Sequence, residues 1–144
     1  MVLAMGAAAW AEKPNGDALR PIQEDRCFYC AEPLRLATAV DHFVPWSRYP
    51  KDSALNFVLA HTNCNANKRE LLAAIPHLDR WLERNRRQGD HILASLERVG
   101  FLPDSSISSM IARWAYGQAV SQGGHAWLRG QVTEPITREY LAVF

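Results

Sequence analysis

The chain has 144 residues, which is enough for one domain with a small appendage. Apolar residues make up 48% and charged residues 22%, a balance that fits a globular protein and excludes a disordered one. The formal net charge is only +1, so any surface that binds nucleic acid must be local. No apolar run approaches the roughly 20 residues that a helix needs to span a bilayer, and we expect no membrane association.

The first 25 residues form a lead-in to the rest of the chain. Residues 1–11 are apolar and end in Ala9-Trp10-Ala11, the form of a signal-peptide cleavage site. They lack a basic start and are shorter than the usual signal of roughly 15–30 residues. We therefore expect an N-terminal helix that packs on the core, and a cytoplasmic protein. Pro14, Gly16 and Pro21 predict that residues 13–25 are irregular.

The segment that follows, up to Phe57, favours short strands and loops over a long helix. It carries three prolines, and its short apolar runs lie at 34–40 and 55–60. We take residues 26–75 as a compact core unit and residues 76–144 as a helical C-terminal extension.

Helical spacing begins near Asn65 and continues in separate stretches. The predicted stretches carry Leu71, Leu72 and Ile75; Leu78, Trp81 and Leu82, ending at Gly89; and Ile92, Leu93, Leu96 and Val99, between Asp90 and Gly100. A last helix opens at Pro103-Asp104-Ser105 and closes at Gly123-Gly124. Its predicted buried face is Ile107, Met110, Ile111 and Trp114. Residues 125–144 have no clear pattern.

One helix carries a run of basic residues that acidic neighbours offset, which predicts a solvated face. The basic residues are Arg80, Arg84, Arg86 and Arg87, and the acidic ones are Asp79, Glu83 and Asp90.

The three cysteines predict a metal site. Cys27 and Cys30 form a C-x-x-C pair, and His61 and Cys64 form an H-x-x-C pair about thirty residues later. Two such pairs on either side of a hairpin supply the four ligands of a closed, tetrahedral zinc site. The alternative is that the cysteines are small buried residues and that His61 ends a strand. That alternative makes the matched spacing a coincidence.

Polar residues lie between and after these two pairs. They are Asp41 and His42, then Asn56, and then Asn65 with Lys68 three residues later. With the segments "CFYC", "VDHFVP" and "LNFVLAHTNCNANK", residues 26–70, roughly a third of the chain, resemble the HNH endonuclease family. In this sequence Asn65 stands where that family often has histidine, and His61 replaces the first cysteine of the second pair.

The resemblance implies an α+β fold, with a ββα-metal hairpin-helix core and a zinc staple. It implies hydrolysis of phosphodiester bonds, most simply in DNA, that leaves 5′-phosphate and 3′-hydroxyl ends. The zinc is expected to be structural, and Mg²⁺ or Mn²⁺ is expected to be the catalytic ion. The resemblance also implies that Asn56 ties the hairpin loop and orients the catalytic histidine.

The residues themselves are chemically suited to these roles. Imidazole can take a proton from water near neutral pH, so His42 is the candidate general base. The Asp41 carboxylate and the Asn65 amide offer hard oxygen ligands for the catalytic ion. Taken alone, Asp41-His42 would be interpreted as a turn and Asn65 as a helix N-cap.

Three basic residues are candidates for contacts with nucleic-acid phosphates: Lys68, Arg69 and Arg48. The weak net charge leaves room for protein partners that target the enzyme. An alternative function is a non-catalytic, zinc-stabilised module that binds nucleic acid or assembles into a larger defence or mobile-element complex.

Overall fold

The computed structural model describes residues 16–35, 37–50, 53–97 and 107–144. It contains helices and strands in a mixed order, which confirms the α+β class. The elements are α1 (residues 16–22), β1 (Thr38–His42), a 3₁₀ turn (Ala54–Asn56), β2 (Phe57–His61), α2 (Thr62–Lys68), α3 (Ile75–Glu97), α4 (Ile107–Ser121), β3 (His125–Arg129), β4 (Val132–Pro135) and a closing 3₁₀ helix (Arg138–Val143).

The centre of the fold is the β1–β2 hairpin followed directly by α2. The strands pair antiparallel, with Val40 opposite Leu59 and His42 opposite Phe57. Residues 57–60 of β2 are all buried, so both faces of this strand are covered. A continuous apolar run such as Phe57-Val58-Leu59-Ala60 is what a doubly covered strand requires.

The first segment that covers β2 belongs to the lead-in. The prediction that residues 13–25 are irregular is wrong. Residues 16–22 are helical, and Leu19 is fully buried. Gln23 then bonds both main-chain groups of Leu59, donating to its carbonyl at 2.8 Å and accepting from its amide at 2.9 Å. Apolar contact and these two bonds outweigh the irregularity that Gly16 and Pro21 suggest. The predicted helix at residues 1–11 lies outside the described residues.

The second cover comes from α3, which is one helix of 23 residues. The predicted break at Gly89 is wrong, because α3 continues through this position. Leu55 packs beside it, 4.0 Å from the place that a Cβ would occupy. Trp81 is fully buried as predicted, stacks on Phe43 with ring centroids 4.6 Å apart, and donates to the Leu55 carbonyl at 2.9 Å. The predicted end at Gly100 lies outside the described residues.

The buried face of α4 also differs from the prediction. Its buried residues are small or hydroxyl-bearing: Ser108, Ala112, Ala115, Tyr116 and Ala119. The predicted face is instead largely exposed, with Met110 at 67% and Trp114 at 56% exposure. The predicted end is confirmed. Gly123 has a φ of +67°, and the amide of Gly124 bonds the Ala119 carbonyl at 2.8 Å, as in a Schellman cap.

The last twenty residues, for which the sequence predicts nothing, include the β3–β4 hairpin. Trp127 attaches this hairpin to the link between α2 and α3, accepting from the Ala74 amide and donating to the Leu72 carbonyl, each at 2.8 Å. The C-terminal extension is therefore not purely helical, and its division from the core at residue 75 stays a prediction. Within the described part of the chain, no helix has the length and apolar character needed to cross a membrane.

Candidate metal centre and active site

The four side chains expected to bind zinc lie together. Cys27 and Cys30 come from the turn before β1, and His61 and Cys64 come from the junction of β2 and α2. Their ligand atoms all lie within 4.8 Å of one another. The His61 Nδ1 atom is 3.3 Å from Cys30 Sγ and 4.0 Å from Cys64 Sγ. These distances bracket the separation of about 3.6 Å that tetrahedral zinc imposes between a sulfur and a nitrogen ligand.

The orientation of His61 also suits a metal ligand. Its Nε2 atom lies 3.0 Å from the Pro33 carbonyl, which can only accept a hydrogen bond. The proton must therefore be on Nε2, which leaves the Nδ1 lone pair directed toward the three sulfurs. A second ring nitrogen held by a backbone carbonyl is typical of metal-binding histidines.

The electrostatics of the cluster favour a cation at its centre. Burial, and then the neighbouring sulfurs of Cys27 and Cys30, raise the pKa of the Cys64 thiol to about 12. Burial likewise raises the pKa of the Cys30 thiol. Thiolates are thus disfavoured here unless a positive charge stabilises them, and a bound divalent ion deprotonates its thiol ligands. The cluster is compatible with a structural zinc ion.

Asp41 lies in a polar group beside this cluster. The Tyr29 hydroxyl donates to Asp41 Oδ2 at 2.5 Å, and Lys68 Nζ lies 3.3 Å from the same oxygen. The Lys68 side chain is fully buried, whereas the Asp41 side chain keeps 12% of its surface exposed. Asp41 is therefore a paired carboxylate at the edge of the buried core.

His42 follows Asp41 at the end of β1, so the two side chains point to opposite faces of the strand. The imidazole is only 9% exposed. It lies between two aromatic rings, with its centroid 5.5 Å from that of Trp46 and 5.1 Å from that of Phe57. These rings restrict its rotation, as a positioned proton acceptor requires.

Asn56 is buried below the loop that follows His42. Its side-chain oxygen accepts from the Val44 amide at 2.8 Å, and its side-chain nitrogen donates to the Val44 carbonyl at 3.0 Å. Its own carbonyl accepts from the Phe43 amide at 2.7 Å. Three bonds thus fix the backbone of the two residues that come directly after His42.

The remaining candidates lie on helix α2, at its C-cap and in the turn after Pro45. Asn65 is partly exposed, and Arg69, at the C-cap, is exposed with a φ of +54°. Arg48 is partly exposed in the turn after Pro45. The expected phosphate contact of Lys68 needs correction. Lys68 is fully buried, because its ammonium group is drawn inward to Asp41 and to the His42 carbonyl, 3.4 Å away.

One arginine of the predicted solvated run, Arg84, is buried, contrary to expectation, whereas Arg80 stays exposed although its guanidinium bonds the main chain. Arg80 donates to the Phe28 carbonyl on the cysteine turn. Arg84 donates to the Phe57 and Leu55 carbonyls, each at 2.8 Å, and burial lowers its pKa to about 10. Arg84 lies three residues after the buried Trp81 and therefore on the same face of α3, a spacing that indicates burial. The exposed pairs of Glu83 with Arg86 and Arg87 fit the prediction.

No curated protein matches the chain. Residues 27–74 match the family model described as HNH endonuclease, and this range begins at the first cysteine of the cluster and includes the whole hairpin-helix unit. Residues 27–74, a third of the chain, are therefore similar to the HNH endonuclease family.

Proposed function

We propose that this protein is a metal-dependent endonuclease that hydrolyses phosphodiester bonds in nucleic acid, with DNA as the substrate. The observation that carries the proposal is the family match of a segment that places Asp41 and His42 at the end of β1 and Asn65 on the adjoining helix. The family match supports nucleic acid as the partner. We propose DNA rather than RNA as the substrate.

The cysteine and histidine cluster would hold one structural Zn²⁺, since its donor set and its thiol electrostatics both fit that ion. Asp41 and Asn65 would hold the catalytic Mg²⁺ or Mn²⁺ through oxygen atoms, which these hard ions prefer. When bound, that ion would stabilise the charge that develops on the phosphate and on the leaving oxygen.

The chain's own residues would supply proton transfer and positioning. His42 would accept the proton of the attacking water, and the flanking Trp46 and Phe57 rings would hold the imidazole in one orientation. Asn56 would keep the following backbone in place through its bonds to Val44. Arg69 and Arg48, which reach solvent, would contact phosphates without reading sequence.

A second function has one specific observation in its favour. The Asp41 carboxylate already has partners within the protein, Tyr29 and the buried Lys68, as a purely structural residue would. In that case the protein would be a zinc-stabilised module that binds nucleic acid, or assembles into a larger complex, without cutting. Protein partners for targeting are compatible with either function. We also propose a cytoplasmic location, since three cysteines unpaired by disulfides suit a reducing compartment.

Incubation of the zinc-loaded protein with supercoiled plasmid, single-stranded DNA and RNA, at several Mg²⁺ and Mn²⁺ concentrations, separates the two functions. We expect nicking of plasmid that needs the added ion and stops when EDTA is added in excess over it. Binding of all three nucleic acids without cleavage of any would contradict the enzyme and favour the module.

A further inference from the structure

Tyr29 connects two parts of the site, because it lies inside the cysteine turn and its hydroxyl contacts Asp41 on β1. It immediately precedes Cys30, one of the proposed zinc ligands. Its hydroxyl reaches Asp41 Oδ2, at 2.5 Å. One residue thus joins the zinc cluster to the carboxylate proposed to bind the catalytic ion.

The surroundings of Tyr29 leave its ring one orientation. The ring is packed edge-on against three others, with centroid distances of 5.3 Å to Phe28, 5.2 Å to His77 and 5.2 Å to Trp127. The residue is only 5% exposed. The hydroxyl lies 2.5 Å from Asp41 Oδ2, and a carboxylate oxygen accepts, so Tyr29 is the donor of this bond. A fixed donor of this kind can set the position of the group that accepts from it.

The contacts of Asp41 show how the Tyr29 hydroxyl would orient the Asp41 carboxylate. Tyr29 and Lys68 approach the same carboxylate oxygen, Oδ2, from the cysteine turn and from α2 respectively. Two donors on Oδ2, at 2.5 Å and 3.3 Å, restrict the rotation of the carboxylate and so set the direction of Oδ1. Partners outside the metal's own ligands commonly orient those ligands in this way.

We propose that Tyr29 is a positioning residue, which orients Asp41 for the catalytic ion and makes that orientation depend on the zinc-bound turn. This inference rests on the proposed nuclease function. It gives the zinc cluster a second role, because displacement of the turn would move the Tyr29 hydroxyl and release Asp41.

The test measures cleavage of plasmid by the full chain over a Mg²⁺ series. Loss of an orienting partner typically weakens metal affinity or activity by about 10–100-fold, so Tyr29→Phe should raise the half-saturating Mg²⁺ concentration by roughly that factor. Tyr29→Met, which also lacks the hydroxyl, is measured alongside. Chains that are permanently misfolded do not change the half-saturating concentration, whereas reversible unfolding would raise it, so the folded fraction of each variant is measured by circular dichroism under the assay conditions.

The matched control is Tyr140→Phe. Tyr140 is also buried, with 2% of its surface exposed. Its hydroxyl likewise donates to a carboxylate, that of Glu134, in the C-terminal part of the chain. This control should leave the Mg²⁺ dependence unchanged. A wild-type Mg²⁺ dependence in both Tyr29 variants would overturn the inference while the nuclease function stands, whereas absence of cleavage by the wild type would instead refute the function.

Dependence on the turn is tested by a double-mutant cycle with a zinc ligand. Cys30→Ser should raise the half-saturating Mg²⁺ concentration when Tyr29 is present and add little in the Tyr29→Phe background, because both changes release the same carboxylate. Fully additive effects on the logarithmic scale would show that the zinc turn acts on the site without Tyr29, and would overturn the coupling.

Discussion

Removal of the Asp41 carboxylate should destabilise the fold as well as the site. The Lys68 ammonium lies 3.3 Å from Asp41 Oδ2 on a side chain with no exposed surface. Asp41→Ala leaves that cation buried without its anion, a change that typically costs about 3–5 kcal/mol. Whole domains are stable by only about 5–15 kcal/mol, so this variant would lose a large part of its free energy of unfolding.

The partner variants predict an order of stability. Lys68→Met should cost less than Asp41→Ala, because the Asp41 side chain keeps 12% exposure and the Tyr29 bond. The double variant Asp41→Ala/Lys68→Met should recover most of the loss, since replacing both members of a buried pair by apolar groups is often neutral. For a chain of this size, the loss in Asp41→Ala corresponds to a fall in Tm of roughly 6–20 °C.

Urea denaturation of the zinc-loaded proteins, followed by circular dichroism, measures these differences. Glu83→Ala removes the anion of an exposed pair with Arg86 and serves as control, with an expected cost of about 0–1 kcal/mol. An Asp41→Ala protein as stable as the wild type, or a double variant no more stable than Asp41→Ala, would refute the reasoning. Because Asp41→Ala is expected to destabilise the fold, Asp41→Asn is the better variant for testing catalysis.

Three other predictions concern separate parts of the site. Elemental analysis should find one zinc ion per native chain and less than one in Cys64→Ser; no zinc in the native protein would contradict the proposed centre. Asn56→Ala should lower the free energy of unfolding by about 2 kcal/mol or more, because the amide and carbonyl of Val44 lose buried partners, whereas an unchanged urea midpoint would mean that water replaces them. Arg69→Ala should lower the slope of log affinity for DNA against log salt by about 0.9, and Lys68→Met should not; equal slopes for the two variants would contradict this placement.

The parts of the fold that could be predicted from sequence are those fixed by short-range patterns. The spacing of Cys27, Cys30, His61 and Cys64 predicts a four-ligand cluster, and the model brings these side chains together. Apolar runs separated by prolines predict the hairpin, and paired glycines predict the end of α4. Each of these features depends on residues close in sequence or on one closed ligand set.

The failures come from tertiary packing, which local patterns do not record. The stripe of Met110 and Trp114 indicates a buried face, but α4 instead buries alanines, whose small side chains allow close approach to the core. The sequence predicts that Lys68 and Arg84 face solvent. Both are buried because they bind partners distant in sequence: Asp41 for Lys68, and the Phe57 carbonyl for Arg84. Tyr29 has no sequence signal as a site residue, because its partner lies twelve residues further along the chain, on β1.

The proposed function depends most directly on His42, which belongs neither to the zinc cluster nor to the buried ion pair. Single-turnover cleavage of plasmid at saturating Mg²⁺ should therefore be compared between the wild type, His42→Ala and His91→Ala, an exposed histidine on α3. A positioned general base contributes roughly 10²–10⁴-fold, so His42→Ala should be slower by about that factor at a temperature where it is folded, with zinc content and DNA affinity close to those of the wild type. His91→Ala should cut at the wild-type rate. Cleavage by His42→Ala at the wild-type rate would contradict the assignment of the base, and no ion-dependent cleavage by the wild type itself would contradict the nuclease.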